Sequence, residues 1–139
     1  MNWLAWSLLS AFFAALTAIL AKIGVAGVDS NLATAIRTSV VLVFAWTIVL
    51  VTNAGGGLGT LSVRTWTFLG LSGLATGLSW LCYFRALQLG DASQVAPVDK
   101  LSVVFVLVLA ALFLGETLTL RTAVGGLLIA AGAVVLALK

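Results

Sequence analysis

Long apolar stretches alternate with short polar segments along the chain. Because a helix of about 20 apolar residues crosses the hydrocarbon core of a bilayer, this pattern predicts five transmembrane helices. They cover residues 3–23, 32–52, 66–88, 92–114 and 120–138. The predicted fold is therefore all-α, an integral membrane bundle of five transmembrane helices that forms a single domain over residues 1–139.

The polar segment around residue 90 is predicted to end one helix and begin the next. Gly90 is suited to the left-handed conformation that terminates a helix. Asp91 is suited to cap the following helix, and Gln94, three residues later, completes a capping box. Another polar segment, 53–62, is rich in glycine but lacks the GK[ST] sequence of a phosphate loop, so we interpret it as a linker.

The composition agrees with a protein embedded in the lipid bilayer. The chain of 139 residues is 63% hydrophobic and 8% charged, whereas soluble domains carry about 25% charged residues. The basic residues are dispersed singly, so nucleic-acid binding is not predicted. Histidine is absent and Cys82 is the single cysteine, which excludes an internal disulfide and a Cys-based metal site. We predict no enzymatic activity, no metal and no other cofactor.

Charged side chains within the predicted spans are the main functional candidates, because ionisable groups are costly in lipid. Arg37 lies about 10 Å inside the second span at helical rise. Asp99 and Lys100 lie roughly 12–14 Å below the start of the fourth span. We expect a helix kink at Pro97, since proline lacks a backbone N–H. Arg85 lies one turn before the end of the third span.

The alternation of five spans places these charges in one half of the bilayer, together with Lys22 at the end of the first span. We expect Asp99 to form an ion pair, because an unpaired charge at this depth is very costly. The candidate partners are Arg37, Lys100 and Arg85. Two interpretations stay open, a purely structural ion pair and a substrate or proton site. The excess of positive groups favours an anionic or zwitterionic ligand.

Small residues mark the faces at which helices are predicted to approach one another closely. The glycines concerned are Gly73, Gly77, Gly125 and Gly126. Their neighbour is another helix of this chain or of a second copy. Trp80 and Tyr83, further along the third span, are candidates to line a polar cavity, with ordinary helix packing as the alternative interpretation.

The distribution of Lys and Arg gives a weak orientation signal. Five of these residues fall on the side of the 24–31 turn and two on the other side. Discounting Arg37 and Lys100, which lie inside the spans, leaves three against two. A chain with so weak a bias can insert in both orientations, which permits an antiparallel homodimer.

Several segments of the chain resemble the EamA domain of the drug/metabolite transporter superfamily. They are WLAWSLLSAFFAALTAILAKIGV, SNLATAIRT, WLCYFRALQLGDASQVAPVDKLSVV, and FLGETLT followed by GGLLIAAGAVVL. The similarity covers essentially the whole chain, and the combination YFRALQLGDAS…AP…LGE is fairly specific. Most relatives carry two such domains in inverted repeat. This chain resembles the smaller prokaryotic group with a single five-helix copy, a half-transporter unit.

The resemblance implies secondary transport of a small polar metabolite, such as an amino acid or a related compound. A single copy is then expected to form a homodimer in the prokaryotic cytoplasmic membrane, the cell inner membrane, and to work by alternating access. Gly115 and Glu116 belong to the family's LGE turn, where we expect a structural or gating role. The related small multidrug exporters use a glutamate in the first helix, which has no acid here, so Asp99 is the only deep acid for coupling. The alternative function is a non-transporting accessory or assembly subunit of a larger complex.

Overall fold

The computed structural model describes residues 2–138 of the chain. The α-helices are α1 (Trp3–Gly24), α2 (Ser30–Val51), α3 (Val63–Leu89), α4 (Ala92–Asp99), α5 (Ser102–Leu109) and α6 (Leu120–Ala137). A 3-10 helix (Ala54–Thr60) follows α2, and a π-helix (Ala110–Leu114) follows α5. Residues 2–138 contain no strand.

Five helical stretches of the described chain are long and apolar enough to cross a membrane. They are α1, α2, α3, the stretch Ala92–Leu114, which contains α4, α5 and the π-helix, and α6. Most of their large apolar side chains are exposed, as expected for helices whose surfaces face lipid. The prediction of an all-α bundle of five transmembrane helices is therefore confirmed. The third helix begins at Val63 rather than at residue 66, because Ser62 caps it by accepting a hydrogen bond from the Thr65 N–H.

The chain divides into two compact units. The first consists of the chain up to Lys22 and of the chain from Leu89 onward, and the second of Ile23–Gln88. The first unit thus contains most of α1 and all of α4, α5 and α6, while the second contains α2 and almost all of α3. The single domain over residues 1–139, whose two terminal residues lie outside the described part, stays a prediction.

Within the first unit, α6 packs against α4 and α5 through its small residues. Gly126 is buried, and a Cβ atom at this position would lie 2.9 Å from Leu107 Cδ1. That is shorter than real Cβ contacts, so a side chain at residue 126 would require the Leu107 side chain of α5 to move. Gly125, one residue earlier, has no such neighbour within 4 Å.

The span formed by α4 and α5 is interrupted just after Pro97. The Lys100 N–H donates to the Pro97 carbonyl at 3.1 Å, and the Leu101 N–H donates to the Val98 carbonyl at 3.0 Å. These bonds reach back three residues, as in a 3-10 turn, and not the four of an α-helix. The regular α-helix therefore stops at the end of α4 and resumes in α5, within a single membrane span.

The capping box predicted at the start of α4 is wrong. Asp91 occupies the N-cap position, but its side chain makes no capping hydrogen bond. The Gln94 amide donates instead to the Ala137 carbonyl at 3.2 Å. The last carbonyls of a helix lack partners within it. The Gln94 side chain therefore binds a carbonyl at the end of α6 and does not cap α4.

The left-handed conformation predicted for Gly90 is also wrong. The glycines with positive φ in the described chain are Gly27, at 73°, and Gly115, at 68°. The carbonyl of Gly90 accepts a hydrogen bond of 2.7 Å from Lys22 Nζ. A long basic side chain from α1 thus satisfies the backbone at the end of α3, where a glycine cap was expected.

Candidate functional site

Within the second unit, the guanidinium of Arg37 lies on aromatic rings of α3. Its Cζ atom is 4.2 Å from the centroid of the Trp80 ring and 5.5 Å from that of Phe84. Trp80 and Phe84 are one helical turn apart and so share a face of α3. Tyr83 is close enough to interact with Arg37 electrostatically. These four residues form the arginine–aromatic cluster.

The charge of Arg37 is stabilised by rings and not by a carboxylate of its own unit. Asp29 is the only acid in residues 23–88. Its carboxylate caps α2 by accepting from the N–H groups of Asn31 and Leu32, at 2.9 and 3.1 Å. A ring engages the face of a guanidinium, whereas the N–H donors point outward in its plane. The cluster therefore presents a half-buried cation whose in-plane donors form no hydrogen bond with the residues of its own unit, 23–88.

Within the first unit, Asp99 and Lys100 form an ion pair at the interruption between α4 and α5. Lys100 Nζ lies 3.1 Å from Asp99 Oδ2, and the side chains are 57% and 36% exposed, respectively. Of the partners predicted for Asp99, Lys100 is thus the one that forms an ion pair with it. Neighbouring residues of a regular helix do not face each other. The interruption of the helix lies at this pair.

Asp99 is the only acid of the chain that lies in the interior of a membrane span. The chain contains four acidic residues, all of them within the described part. Asp29 and Asp91 occupy the N-cap positions of α2 and α4. Glu116 follows the left-handed Gly115 that ends the π-helix. The prediction of a single deep acid therefore agrees with the helix bounds.

The chain matches the EamA-like transporter family over residues 1–138. It belongs to this family. A relative described as "Uncharacterized transporter in cobO 3'region", from Sinorhizobium sp, is 56% identical over 136 residues, which cover 98% of this chain and 96% of the relative. No solved structure matches the chain. The protein is thus a multi-pass integral membrane protein of a transporter family, in agreement with the resemblance found in its sequence.

In this EamA-like protein, the side-chain hydrogen bond of Arg85 is made to Gln88 and not to a residue of the arginine–aromatic cluster. Its Nη1 donates to Gln88 Oε1 at 2.9 Å, and Gln88 Nε2 donates to the Val28 carbonyl. Arg85 thus forms a hydrogen bond within the last turn of α3, and Gln88 connects that turn to the start of the same unit. No sequence pattern indicated a role for Gln88, because an amide near a helix end is common and its partner lies 60 residues away in the chain.

The remaining candidates are distributed along the elements as follows. In α3, Gly73 and Gly77 have no heavy atom of the described chain within 4 Å of a built Cβ. Within the second unit, no other residue packs closely against these two positions, and their role in helix packing stays a prediction.

Glu116 is exposed and donates its N–H to the Ala110 carbonyl at 3.2 Å, which closes the turn after the π-helix.

Proposed function

We propose that this EamA-like protein is a secondary transporter of small polar metabolites that carry an anionic group, amino acids among them. It works by alternating access as a homodimer in the prokaryotic cytoplasmic membrane. The observation that carries the proposal is the half-buried guanidinium of Arg37 on the ring of Trp80, 4.2 Å from its centroid. Family membership supports transport, and this cation supports the class of substrate.

The geometry of Arg37 suits it to hold a carboxylate. A cation–π contact contributes about 0.5–1 kcal/mol at an exposed site and about 2 kcal/mol or more when desolvated. It therefore fixes the plane of the guanidinium without occupying its in-plane N–H groups. Those groups match the two oxygens of a carboxylate in a bidentate arrangement. A neutral sugar or a cationic drug offers no such partner, so the cluster favours anions and zwitterions.

The number of membrane spans in the region that matches the family supports a homodimer. Residues 1–138 match the family and contain one set of five spans. Many transporters place their substrate between two structural repeats of inverted topology. The weak bias of Lys and Arg between the two sides permits both orientations of this chain in one membrane. Two oppositely inserted copies then provide both halves of a pathway.

The test is substrate counterflow in proteoliposomes, with the purified protein and a radiolabelled panel of amino acids and short mono- and dicarboxylates. We expect exchange of at least one anionic or zwitterionic compound. Arg37→Gln removes a charged hydrogen-bonding partner worth about 1.5–3 kcal/mol, which raises the half-saturating concentration by about 10–150-fold. Arg37→Lys keeps the charge but loses the planar array of N–H donors. Its half-saturating concentration is expected to lie between those of the wild type and Arg37→Gln.

Arg64→Gln is the matched control. Arg64 lies at the start of α3, and its Cζ is 5.8 Å from the centroid of the Phe68 ring, so this control also removes an arginine that rests on an aromatic side chain. Exchange restricted to neutral or cationic compounds would refute the substrate class. So would an Arg37→Gln protein that exchanges as well as the Arg64→Gln control. Exchange by the purified protein excludes the reading as a non-transporting subunit.

A further inference from the structure

The ion pair in the interrupted span is a chemically distinct feature from the arginine–aromatic cluster. Asp99 and Lys100 are adjacent, 3.1 Å apart, and lie between two short helices of one span. Interrupted membrane helices are where transporters commonly place their substrate and coupling ions. The pair therefore lies at the kind of backbone break at which a transported or coupling ion binds.

The pair is neutral as a unit, and this limits the states it can adopt at low cost. Removing one partner of an ion pair in the interior of a membrane span leaves the other charge uncompensated, which is strongly unfavourable. Protonation of Asp99 alone creates such a state, because it leaves the Lys100 ammonium without its carboxylate. The positive charge is compensated again if a negatively charged group of a ligand takes the place of the carboxylate.

We propose that Asp99 and Lys100 couple transport to protons by this exchange of partners, an inference that rests on the proposed function. A proton from solution binds the Asp99 carboxylate, the Lys100 ammonium keeps its own protons, and the anionic group of the substrate replaces Asp99 beside it. Proton and anion then move together, and both leave when the ion pair re-forms. The cycle carries one proton with each anionic group, and it is electroneutral when the substrate is a monoanion.

Among residues 2–22 and 89–138, which are the described part of this unit, no second charged group lies beside the pair in the interior of the span. The helix packed against α4 and α5 is α6, whose single charged residue is Arg121 in its first turn. Gln94 joins the start of α4 to the other end of α6 at Ala137, which lies about 24 Å from Arg121 along the helix. The one charged side chain of α1, Lys22, donates to the Gly90 carbonyl. Asp91 and Glu116 lie at the two ends of the interrupted span.

The experiment uses the wild-type protein in proteoliposomes with the compound that shows counterflow. A pH gradient, acid outside, is expected to drive accumulation of a monoanion by up to about tenfold per pH unit, since one proton moves with one charge. A membrane potential set with potassium and valinomycin is expected to leave this accumulation unchanged. In weakly buffered detergent solution, binding of the same compound to the wild type is expected to take up about one proton per bound anion.

Asp99→Asn is expected to abolish both the effect of the pH gradient and the proton uptake that accompanies binding. Lys100 is then permanently free to pair with the anion, so net transport should become sensitive to membrane potential. Asp29→Asn is the matched control, because it also removes a carboxylate but keeps a good N-cap for α2. If Asp99→Asn does not fold, the neutral double variant Asp99→Asn with Lys100→Gln takes its place, and it should lose gradient-driven accumulation as well.

The outcomes separate this inference from the proposed function. Absence of counterflow for every compound of the panel contradicts both. Counterflow that persists while the wild type ignores the pH gradient, or takes up no proton on binding, overturns the coupling alone. Gradient-driven accumulation that survives in Asp99→Asn also overturns it, since the proton would then bind elsewhere. Proton release on binding of a cationic compound would indicate antiport and would equally overturn it.

Discussion

The contact between Arg37 and Trp80 has an energy that a double-mutant cycle measures directly. The perturbations are Arg37→Gln, which removes the charge but keeps a polar side chain of similar reach, and Trp80→Leu, which removes the ring but keeps an apolar residue in α3. The double variant completes the cycle. The coupling energy is the part of the stability that exists only when both the cation and the ring are present.

The structure sets the expected magnitude. The Arg37 Cζ atom is 4.2 Å from the ring centroid, and both side chains are half-buried. This lies well inside the limit of about 6 Å for a cation–π contact, and partial desolvation places it between the exposed and the desolvated cases, at about 1–2 kcal/mol. The Arg64–Phe68 contact, at 5.8 Å between two exposed side chains, is expected to give about 0.5 kcal/mol or less.

The assay is reversible unfolding in mixed detergent micelles, with the free energy of unfolding determined for the wild type, both single variants and the double variant. A second cycle with Arg64→Gln and Phe68→Leu serves as the matched control. The Arg37–Trp80 coupling should exceed the Arg64–Phe68 coupling by at least about 0.5 kcal/mol. Equal coupling in the two cycles, or none between Arg37 and Trp80, would refute the claim that the rings hold the guanidinium in place.

Two further predictions concern glycines at helix surfaces. Gly126→Leu should lower the free energy of unfolding by about 1–3 kcal/mol, because its Cβ would lie 2.9 Å from Leu107 Cδ1. Gly125→Leu is the control in the same unfolding assay, since no atom lies within 4 Å of its Cβ. Equal losses of stability in the two variants would show that the contact between residue 126 and α5 does not cause the loss. Gly77→Leu should weaken the homodimer without unfolding the protomer, because no heavy atom of the described chain lies within 4 Å of its Cβ. Light scattering in detergent measures the mass of the oligomer. An unchanged dimer would exclude this face as the interface.

The transmembrane helices were predictable from the sequence because a single physical requirement determines them. Every backbone polar group must be satisfied inside the bilayer, so a run of about 20 apolar residues is helical whatever its neighbours are. The predicted bounds accordingly differ from the observed ones by at most three residues at the helix starts, as at Val63. The depth of Asp99 and Arg37 followed from the same rule, since helical rise converts position in the span into distance.

The local predictions around residue 90 failed because the deciding partners lie elsewhere in the chain. Lys22 reaches the Gly90 carbonyl from a position 68 residues earlier, and Gln94 reaches the Ala137 carbonyl 43 residues later. A capping rule considers a few neighbouring residues and cannot weigh such partners. For the same reason the sequence marked both Gly125 and Gly126, whereas only the structure shows which of them faces α5.

The two charged sites reduce the cost of charge in lipid in different ways, and the roles that we propose for them differ accordingly. The guanidinium of Arg37 is stabilised by rings of fixed position, and an arginine side chain keeps its proton in proteins. It is therefore suited to bind an anion but not to respond to a proton. The Asp99–Lys100 pair is stabilised by mutual neutralisation, so a single proton on Asp99 changes what Lys100 requires. In the proposed mechanism, Arg37 therefore recognises the anion, and Asp99 couples its movement to that of a proton.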